Sequence, residues 1–404
     1  MDKAKPAAKS APAKTPASGK APAAAGGAKP SKQFEAAASR QLGSWLHDQS
    51  LAIAFTTYQA NMLFFLAGTS QGKWTVHQRE LKRCMGLLVT GNSLYASSLY
   101  QLWRFENVLA KGETRAGHDR LYVPKLSHVT GDIDVHDIAI TPSGRLIFVN
   151  TLYSCLATLS PAHSFVSIWR PPFISKLAAE DRCHLNGLAM KDGKPGWVTT
   201  ISDTDVGDGW REHREKGGFI IDVQKNEIVL RGLSMPHSPR WYRNRLWLHN
   251  SGTGEFGYAD LQAGKFVPIA FFPGYLRGVT FVGDYAVVGM SKPRPGKGVF
   301  SGLPLQERLA GKKVEPRCGL AVVNLKSGDM VHWFRFDTVV SELYDVAVIE
   351  NCRKPMAIGF QTDEIRREIS HRPAPQELRA ELIGGRRAST PAPAAADKAP
   401  ELEQ

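Results

Sequence analysis

A short phrase recurs along this 404-residue chain, and its spacing constrains the fold more than any other feature. It reads Met85-Gly86-Leu87, His136-Asp137-Ile138, Asn186-Gly187-Leu188, Ser238-Pro239-Arg240, Arg277-Gly278-Val279 and Tyr344-Asp345-Val346. Successive phrases begin 51, 50, 52, 39 and 67 residues apart. Periods of this length mark propeller blades or solenoid repeats. Between residues 51 and 360 a helical period is nearly absent. Short β-branched and aromatic runs at residues 94–96, 146–149, 218–223, 246–248, 286–288 and 320–323 are split by Gly, Asn, Asp and Pro. Two or more strands per period without helices favour the propeller. The fold class read from the sequence is therefore all-β, a single β-propeller of about six blades. The 39-residue step suggests a trimmed blade. The 67-residue step has room for a Pro/Gly/Lys insertion at residues 292–317, or for an irregular seventh blade.

Ring closure follows from the two ends. After the sixth phrase two strands are predicted, at residues 345–350 and 355–360, and a four-stranded blade would lack two more. Residues 51–57 and 61–66 can supply them across the turn Tyr58-Gln59-Ala60. Two N-terminal and two C-terminal strands in one blade would leave no open sheet edge. The predicted organisation is a disordered tail over 1–33, a lead-in over 34–50, the propeller over 51–360, and a mostly disordered tail with a short helix over 361–404. A short helix is expected from Gln33 to His47, leading into the fold.

The net charge of +13 is unevenly spread. Residues 1–33 are nearly all Ala, Pro, Lys, Gly and Ser, and carry seven lysines against one acid, Asp2. Such a composition cannot bury enough apolar surface to order itself. It reads as a solubilising tail, or as a tether for an acidic partner or nucleic acid through counterion release. The middle of the chain carries about +8. The five cysteines form no CxxC pair, so free thiols are expected rather than a disulfide framework or a zinc knuckle. No apolar run reaches the ~18 residues of a membrane span, and no apolar segment follows the N-terminal lysines. A cytoplasmic protein without membrane contact is expected.

The innermost strand of a propeller blade faces the central channel, and the recurring phrase sits where that strand begins. Its first position holds Met85, His136, Asn186, Ser238, Arg277 and Tyr344, mostly polar. This variation suggests a surface built for a ligand, or else a wet channel lined by satisfied polar groups. His136, His184 and His237 gather there, and three imidazoles on a rigid ring could hold a divalent ion, zinc-like or calcium. Asp134, two residues before His136, shares its strand face and could be a further ligand or orient one. The register is uneven: His237 falls one residue before the phrase and His184 two before. Arg277 suits bidentate recognition of a carboxylate or phosphate; its structural alternative is a salt bridge to Asp137 or Asp345. Tyr344 could donate a proton or a hydrogen bond. Asn186 and Ser238 belong to the same ring, and Asn150 and Asn250, each ending a second strand, could form a second polar layer.

Other patterns fail. The Gly252–Gly257 stretch lacks the lysine and following helix of a phosphate loop. Asp203, Asp205 and Asp208 have the wrong spacing for a calcium loop. No Gly-x-Ser-x-Gly nucleophile motif is present.

Four segments carry a resemblance. They are the ten residues from Ser127 to His136, Arg170-Pro171-Pro172-Phe173-Ile174-Ser175, Cys183-His184-Leu185-Asn186-Gly187-Leu188-Ala189 and Ser234-Met235-Pro236-His237-Ser238-Pro239-Arg240-Trp241. Through them residues 51–360 resemble a mostly bacterial conserved-hypothetical, domain-of-unknown-function family, which implies no catalytic residue. More distantly, the layout is similar to six-bladed gluconolactonase, strictosidine-synthase-like and peptide amidoglycolate lyase propellers. This chain lacks, in recognisable context, the Glu, Asn and Asp set that lactonases use for their metal. The expected function is binding of a small molecule or peptide at a polar central site, with metal-dependent lyase or hydrolase chemistry. The alternative is a non-catalytic interaction platform.

Overall fold

The structure, a computed structural model, describes residues 34–293, 301–360 and 363–383. Six antiparallel four-stranded sheets stand around one axis, two of them extended by a fifth strand. From the axis outward, the first blade is Leu87–Thr90, Ser93–Ser97, Gln101–Asn107 and Arg120–Val129. The second is Val135–Ile140, Leu146–Asn150, Cys155–Thr158 and Val166–Trp169. The third is Gly187–Lys191, Lys194–Thr200, Gly218–Asp222 and Glu227–Leu233, and the fourth is Pro236–Tyr242, Arg245–Asn250, Glu255–Asp260 and Lys265–Phe271. The fifth is Tyr275–Val282, Tyr285–Ser291, Cys318–Asn324 and Met330–Phe336. In the sixth, Val346–Glu350 is innermost, followed by Leu51–Thr57, Met62–Gly68 and Trp74–Glu80. The six innermost strands touch in sequence, and the last touches the first. Each begins at the recurring phrase.

Blade faces explain the strand sequences. Each blade packs between two neighbours, so both faces are buried and the strands read as continuous apolar runs rather than alternating ones. In Leu51–Thr57, Ile53 and Phe55 face the fifth blade with Phe334 and Val322, while Ala52 and Ala54 face the first with Leu94 and Phe105. The second strand of the fourth blade divides likewise. Leu246 and Leu248 pack toward the third blade, and Trp247 toward the fifth.

Blades are also stitched by hydroxyls at the ends of their second strands. Thr56 Oγ1 donates to Met85 O (2.6 Å), Ser97 Oγ to Val135 O (3.2 Å) and Thr151 Oγ1 to Leu185 O (2.6 Å). Ser251 Oγ donates to Leu276 O (2.7 Å) and Ser291 Oγ to Leu343 O (3.0 Å). Each bond runs to the next blade at, or just before, its phrase.

The closing blade differs from the two-plus-two expectation. One C-terminal strand, Val346–Glu350, pairs with Leu51–Thr57, and three N-terminal strands complete the sheet. The fourth place is taken by Trp74–Glu80, which pairs with Met62–Gly68 along all seven residues. The second C-terminal strand, Pro355–Ala357, instead lies parallel to Arg120–Tyr122 at the outer edge of the first blade. Asp119 draws it there, accepting hydrogen bonds from the backbone of Arg353 and Lys354 at 2.7 and 2.8 Å.

Three further expectations are corrected. The lead-in helix covers only Leu42–Asp48, because Ala36–Ala38 pairs instead with the edge strand Met330–Phe336. Edge pairing outweighs the helix preference of three alanines. The 39-residue step hides no trimmed blade; the fourth blade has all four strands, joined by short turns. The insertion holds the helix Pro304–Lys312, and no seventh sheet occurs among the described residues. The tail over 1–33 lies outside the described residues, as does 384–404; between them, Gln376–Ile383 is helical.

At the axis, Arg240 forks onto Asp137 at 2.6 and 3.0 Å and lies 3.7 Å from Asp345. Each aspartate also accepts the backbone N–H of the next blade, Asp137 from Leu188 at 2.9 Å and Asp345 from Leu87 at 3.0 Å. Burial pushes the Asp345 carboxyl up; Arg240 opposes this and Asp137 adds to it. The phrase's small residues make room for this contact. A Cβ on Gly187 would lie 2.3 Å from Pro239, and Gly278, at φ 72°, sits where a Cβ would meet Val346 N at 2.7 Å. The axial salt bridge that Arg277 was considered for thus belongs to Arg240.

Removing one member of a buried ion cluster leaves unpaired charge and costs roughly 3–5 kcal/mol. Arg240→Met is therefore expected to lower the urea unfolding free energy by about that much, and Arg240→Met with Asp137→Asn to recover part of it. Equal stability of Arg240→Met and the unaltered chain would contradict a structural role for this cluster.

Candidate functional site

The recurring phrase has a local cause. In the second, fourth and fifth blades the innermost pairing shifts register across it, between Phe148 and Asn150, His237 and Arg240, and Leu276 and Val279. A bulge there re-aims side chains that a regular strand would send into the neighbouring blade. Around these bulges stand several non-glycine residues at left-handed φ: Asp134 (57°), Met235 (47°) and Ser238 (52°), with Asp181 (42°) and His184 (51°) in the third blade. Backbone held this way gathers at sites that surrounding contacts over-determine.

His136 and His237 occupy equivalent settings two blades apart. His136 Nδ1 lies 2.9 Å from Asp134 O and 2.7 Å from Thr151 Oγ1. Because the Thr151 hydroxyl donates to Leu185 O, His136 Nδ1 must carry the hydrogen, leaving Nε2 as an acceptor. His237 Nδ1 lies 2.9 Å from Met235 O and 3.4 Å from Ser251 Oγ, whose hydroxyl donates to Leu276 O. Its Nε2 accepts from Asn186 Nδ2 at 3.3 Å.

His184 is held otherwise. Its Nδ1 donates to Asp181 Oδ2 at 2.9 Å, an oxygen that also accepts from Trp210 Nε1 at 2.9 Å. The imidazole stacks on the Trp210 ring, with centroids 4.1 Å apart, and meets the His136 ring edge-on at 4.9 Å. This separate anchoring accounts for its odd position in the repeat.

These residues border a cavity of about 180 Å³ at one mouth of the channel. Asp134, His136, His184, Arg277 and Tyr344 all line it, so five of the sequence-predicted residues converge. The Arg277 guanidinium lies over the Tyr275 and Tyr344 rings, 5.2 and 4.9 Å from their centroids, and 4.0 Å from the buried Glu342 carboxylate. The Tyr344 hydroxyl is buried and has no hydrogen-bond partner in the structure. A larger opening of about 450 Å³ lies at the other mouth, around Asn92, Arg120 and Asn351. It brings together no comparable group of titratable side chains, so the histidine-bordered cavity is the candidate site.

Electrostatics follow from burial. Burial lowers His136 to about 4; Asp134 opposes this, and His184 and Arg277 add to it. His237 is held well below its ordinary value by burial and by Arg277. Burial also pushes the Tyr344 hydroxyl well up. Asp134 is raised by burial, but His136, Arg83 and His184 outweigh this and hold it below the usual carboxylate range. Arg83 bridges Asp132 and Asp134, at 2.7 and 2.6 Å.

The remaining sequence-predicted residues lie around the cavity without lining it. Ser238 Oγ accepts from Gly278 N across the fourth and fifth blades at 2.9 Å. Asn150 Oδ1 accepts from Tyr153 N at 3.1 Å, and Asn250 Oδ1 from Ser234 N at 2.7 Å. Asn186 accepts from Thr199 Oγ1 at 2.7 Å while holding His237. The expected three-histidine ion site does not fit this arrangement. His237 Nε2 is taken by Asn186, Asp134 by Arg83, and no group of three His, Cys, Asp or Glu side chains among the described residues is disposed to hold a metal ion. Sequence reasoning missed Asp181, Trp210, Arg211, Arg83 and Tyr58, which with Met85 complete the lining. Asp181 carried a signal, three residues before His184; Trp210 comes from a long connection and carried none.

His136, His77 and His249 are lowered to about 4, about 4 and about 3, in each case chiefly by burial. The unfolded chain therefore takes up these protons first. Their contribution to stability is complete above about pH 6.5 and is lost as pH falls toward 4. Urea unfolding followed across that window is expected to lose about 1.4 kcal/mol per pH unit for each such histidine. His136→Asn should flatten the slope; an unchanged slope would show that His136 is protonated equally in both states.

Comparison with known proteins bears on the family. No curated protein matches the chain. Among solved structures, a nidogen/laminin complex is 10% identical with a TM-score of 0.46, covering 74% of this chain and 98% of that one. Virginiamycin B lyase from Staphylococcus aureus is 11% identical with a TM-score of 0.35, covering 76% and 100%. A protein provisionally called a gluconolactonase is 12% identical with a TM-score of 0.43, covering 69% and 91%. Likeness at these levels transfers no activity. The model of the family described as domain of unknown function DUF4915 matches residues 40–358, and the chain belongs to that family.

Proposed function

We propose that this DUF4915 propeller binds a small molecule or peptide carrying an anionic group in the mouth cavity, and acts on it as a lyase or hydrolase. One observation carries this reading: two imidazoles whose Nδ1 atoms are tied back meet edge-on beside a buried, unpaired tyrosine hydroxyl and a guanidinium. Tying back Nδ1 fixes the tautomer and aims Nε2, which is how proteins prepare a histidine to accept a proton or hold a ligand. Arg277 would hold the carboxylate or phosphate of the substrate. His184 would take a proton from substrate or from a bound water, with Asp181 stabilising the imidazolium so formed. His136, lowered to about 4, stays neutral at physiological pH and accepts a hydrogen bond. Tyr344 would donate its hydroxyl hydrogen to an oxygen on which negative charge develops.

Tyr344→Phe removes a buried hydroxyl that bonds nothing in the structure, so stability should rise, by roughly 1–3 kcal/mol. Binding of N-acetylated amino acids, read as a thermal shift across a panel that includes acetate and malonate, should weaken in Tyr344→Phe and vanish in Arg277→Gln. Binding that survives both substitutions would contradict the assignment of the cavity. Elemental analysis of the purified protein addresses the metal-dependent form of the reading. Stoichiometric zinc or calcium lost on His136→Ala would favour it, and protein free of both would leave the imidazoles to the substrate.

A second reading rests on the seven lysines of residues 1–33, whose charge suits an acidic partner or nucleic acid. Deleting residues 1–33 should abolish a salt-sensitive mobility shift with DNA if that segment tethers the propeller. It should leave binding in the cavity unchanged.

A further inference from the structure

The mouth cavity is the first of three recesses that share walls. Arg83, Met85 and Asp134 line both the cavity and a furrow that continues past Thr130 and Asp132. Ser98 and Leu99, on the far side of that furrow, also line a cleft of about 320 Å³ between the sixth and first blades. The cleft differs in chemistry from the cavity. Leu81, Leu99, Tyr100, Trp103 and Phe360 line it, together with Glu80, Lys82, Ser98 and Gln101. Trp103 is pinned by a bond from its Nε1 to Ser98 Oγ at 3.1 Å and packs against Phe360 with ring centroids 4.3 Å apart. Tyr100, at the tip of the Ser98–Gln101 turn, leaves 49% of its surface exposed.

We infer that the substrate is an elongated, peptide-like acid whose anionic end lies by Arg277 and whose apolar side chain lies on Tyr100 and Trp103. This inference rests on the reading of the mouth cavity proposed above. Three features support it. The cavity at one end of the path is bordered by charged and imidazole groups, and the cleft at the other has Leu81, Leu99, Tyr100, Trp103 and Phe360 among its lining. Ser98, Thr130 and Asp132 along the furrow suit a linker bearing amide groups better than an alkyl chain. Finally, the furrow has no room for even a water-sized group, and Arg83 bridges Asp132 and Asp134 along it, so a ligand that joins the two recesses passes over its rim in an extended form. An extended chain advances about 3.3–3.6 Å per residue, so a few residues separate the two ends.

Trp210 lines the cavity and Trp103 the cleft, which gives each recess its own reporter. The test uses full-length protein labelled with 5-fluorotryptophan, the two resonances being assigned from Trp103→Phe and Trp210→Phe. It is titrated with N-acetyl-Phe-(Gly)n for n of one to three, and with triglycine. For at least one length, both resonances should shift with a single midpoint, whereas triglycine should move Trp210 alone with at least fivefold weaker affinity. Tyr100→Ser should bring the affinity for the phenylalanine peptide down to that for triglycine, without changing the triglycine response. If Trp210 responds but phenylalanine adds no affinity and Trp103 stays still, the inference is overturned and the cavity reading stands. Silence of both resonances with every peptide overturns both.

Discussion

The bonds from second-strand hydroxyls to the next blade's backbone hold the ring and the site together. Propeller blades touch mainly through apolar faces, and apolar contact fixes distance better than it fixes register. A hydroxyl committed to one carbonyl supplies the missing direction. Thr56, Ser97, Thr151, Ser251 and Ser291 do this at five blade junctions. Two of them have a second task. With their hydrogens already committed, Thr151 and Ser251 can only accept from the imidazole beside them. The interaction that sets the blades in register therefore also sets the tautomers of His136 and His237.

Much of the fold could be read from the sequence because its period is long and its signal local. The phrase recurs because several innermost strands begin on a bulge, and a bulge needs small or turn-forming residues such as Gly278. Closure by both chain ends was also legible, from a count of strands. The division of strands between the ends was not, because it depends on Asp119 capturing the backbone after residue 352, a contact between residues more than 230 positions apart.

The candidate site was legible as a ring of polar residues but not as an assignment of roles. Arg240 and Arg277 look interchangeable in sequence, since both belong to phrases that start innermost strands. Two residues of register separate them. Arg240 holds the phrase's third position and reaches the axial aspartates, whereas Arg277 holds the first and lies over the cavity tyrosines. Similarly, His184 looked misplaced only while the three histidines were taken to share one role. Its partners, Asp181 and Trp210, give it a setting of its own.

The innermost strand of the sixth blade, Val346–Glu350, is among the last propeller strands to be made, yet it pairs with Leu51–Thr57, among the first. Chain synthesis runs at about 5–20 residues per second, so Leu51–Thr57 waits tens of seconds with an unpaired edge. The partner strand arrives directly behind Tyr344 and Asp345, one bordering the cavity and the other sealing the axis. Assembly of the ring and completion of the cavity are thus one event in time. A chain cut short before residue 346 has neither, and no partly closed ring carries a finished site.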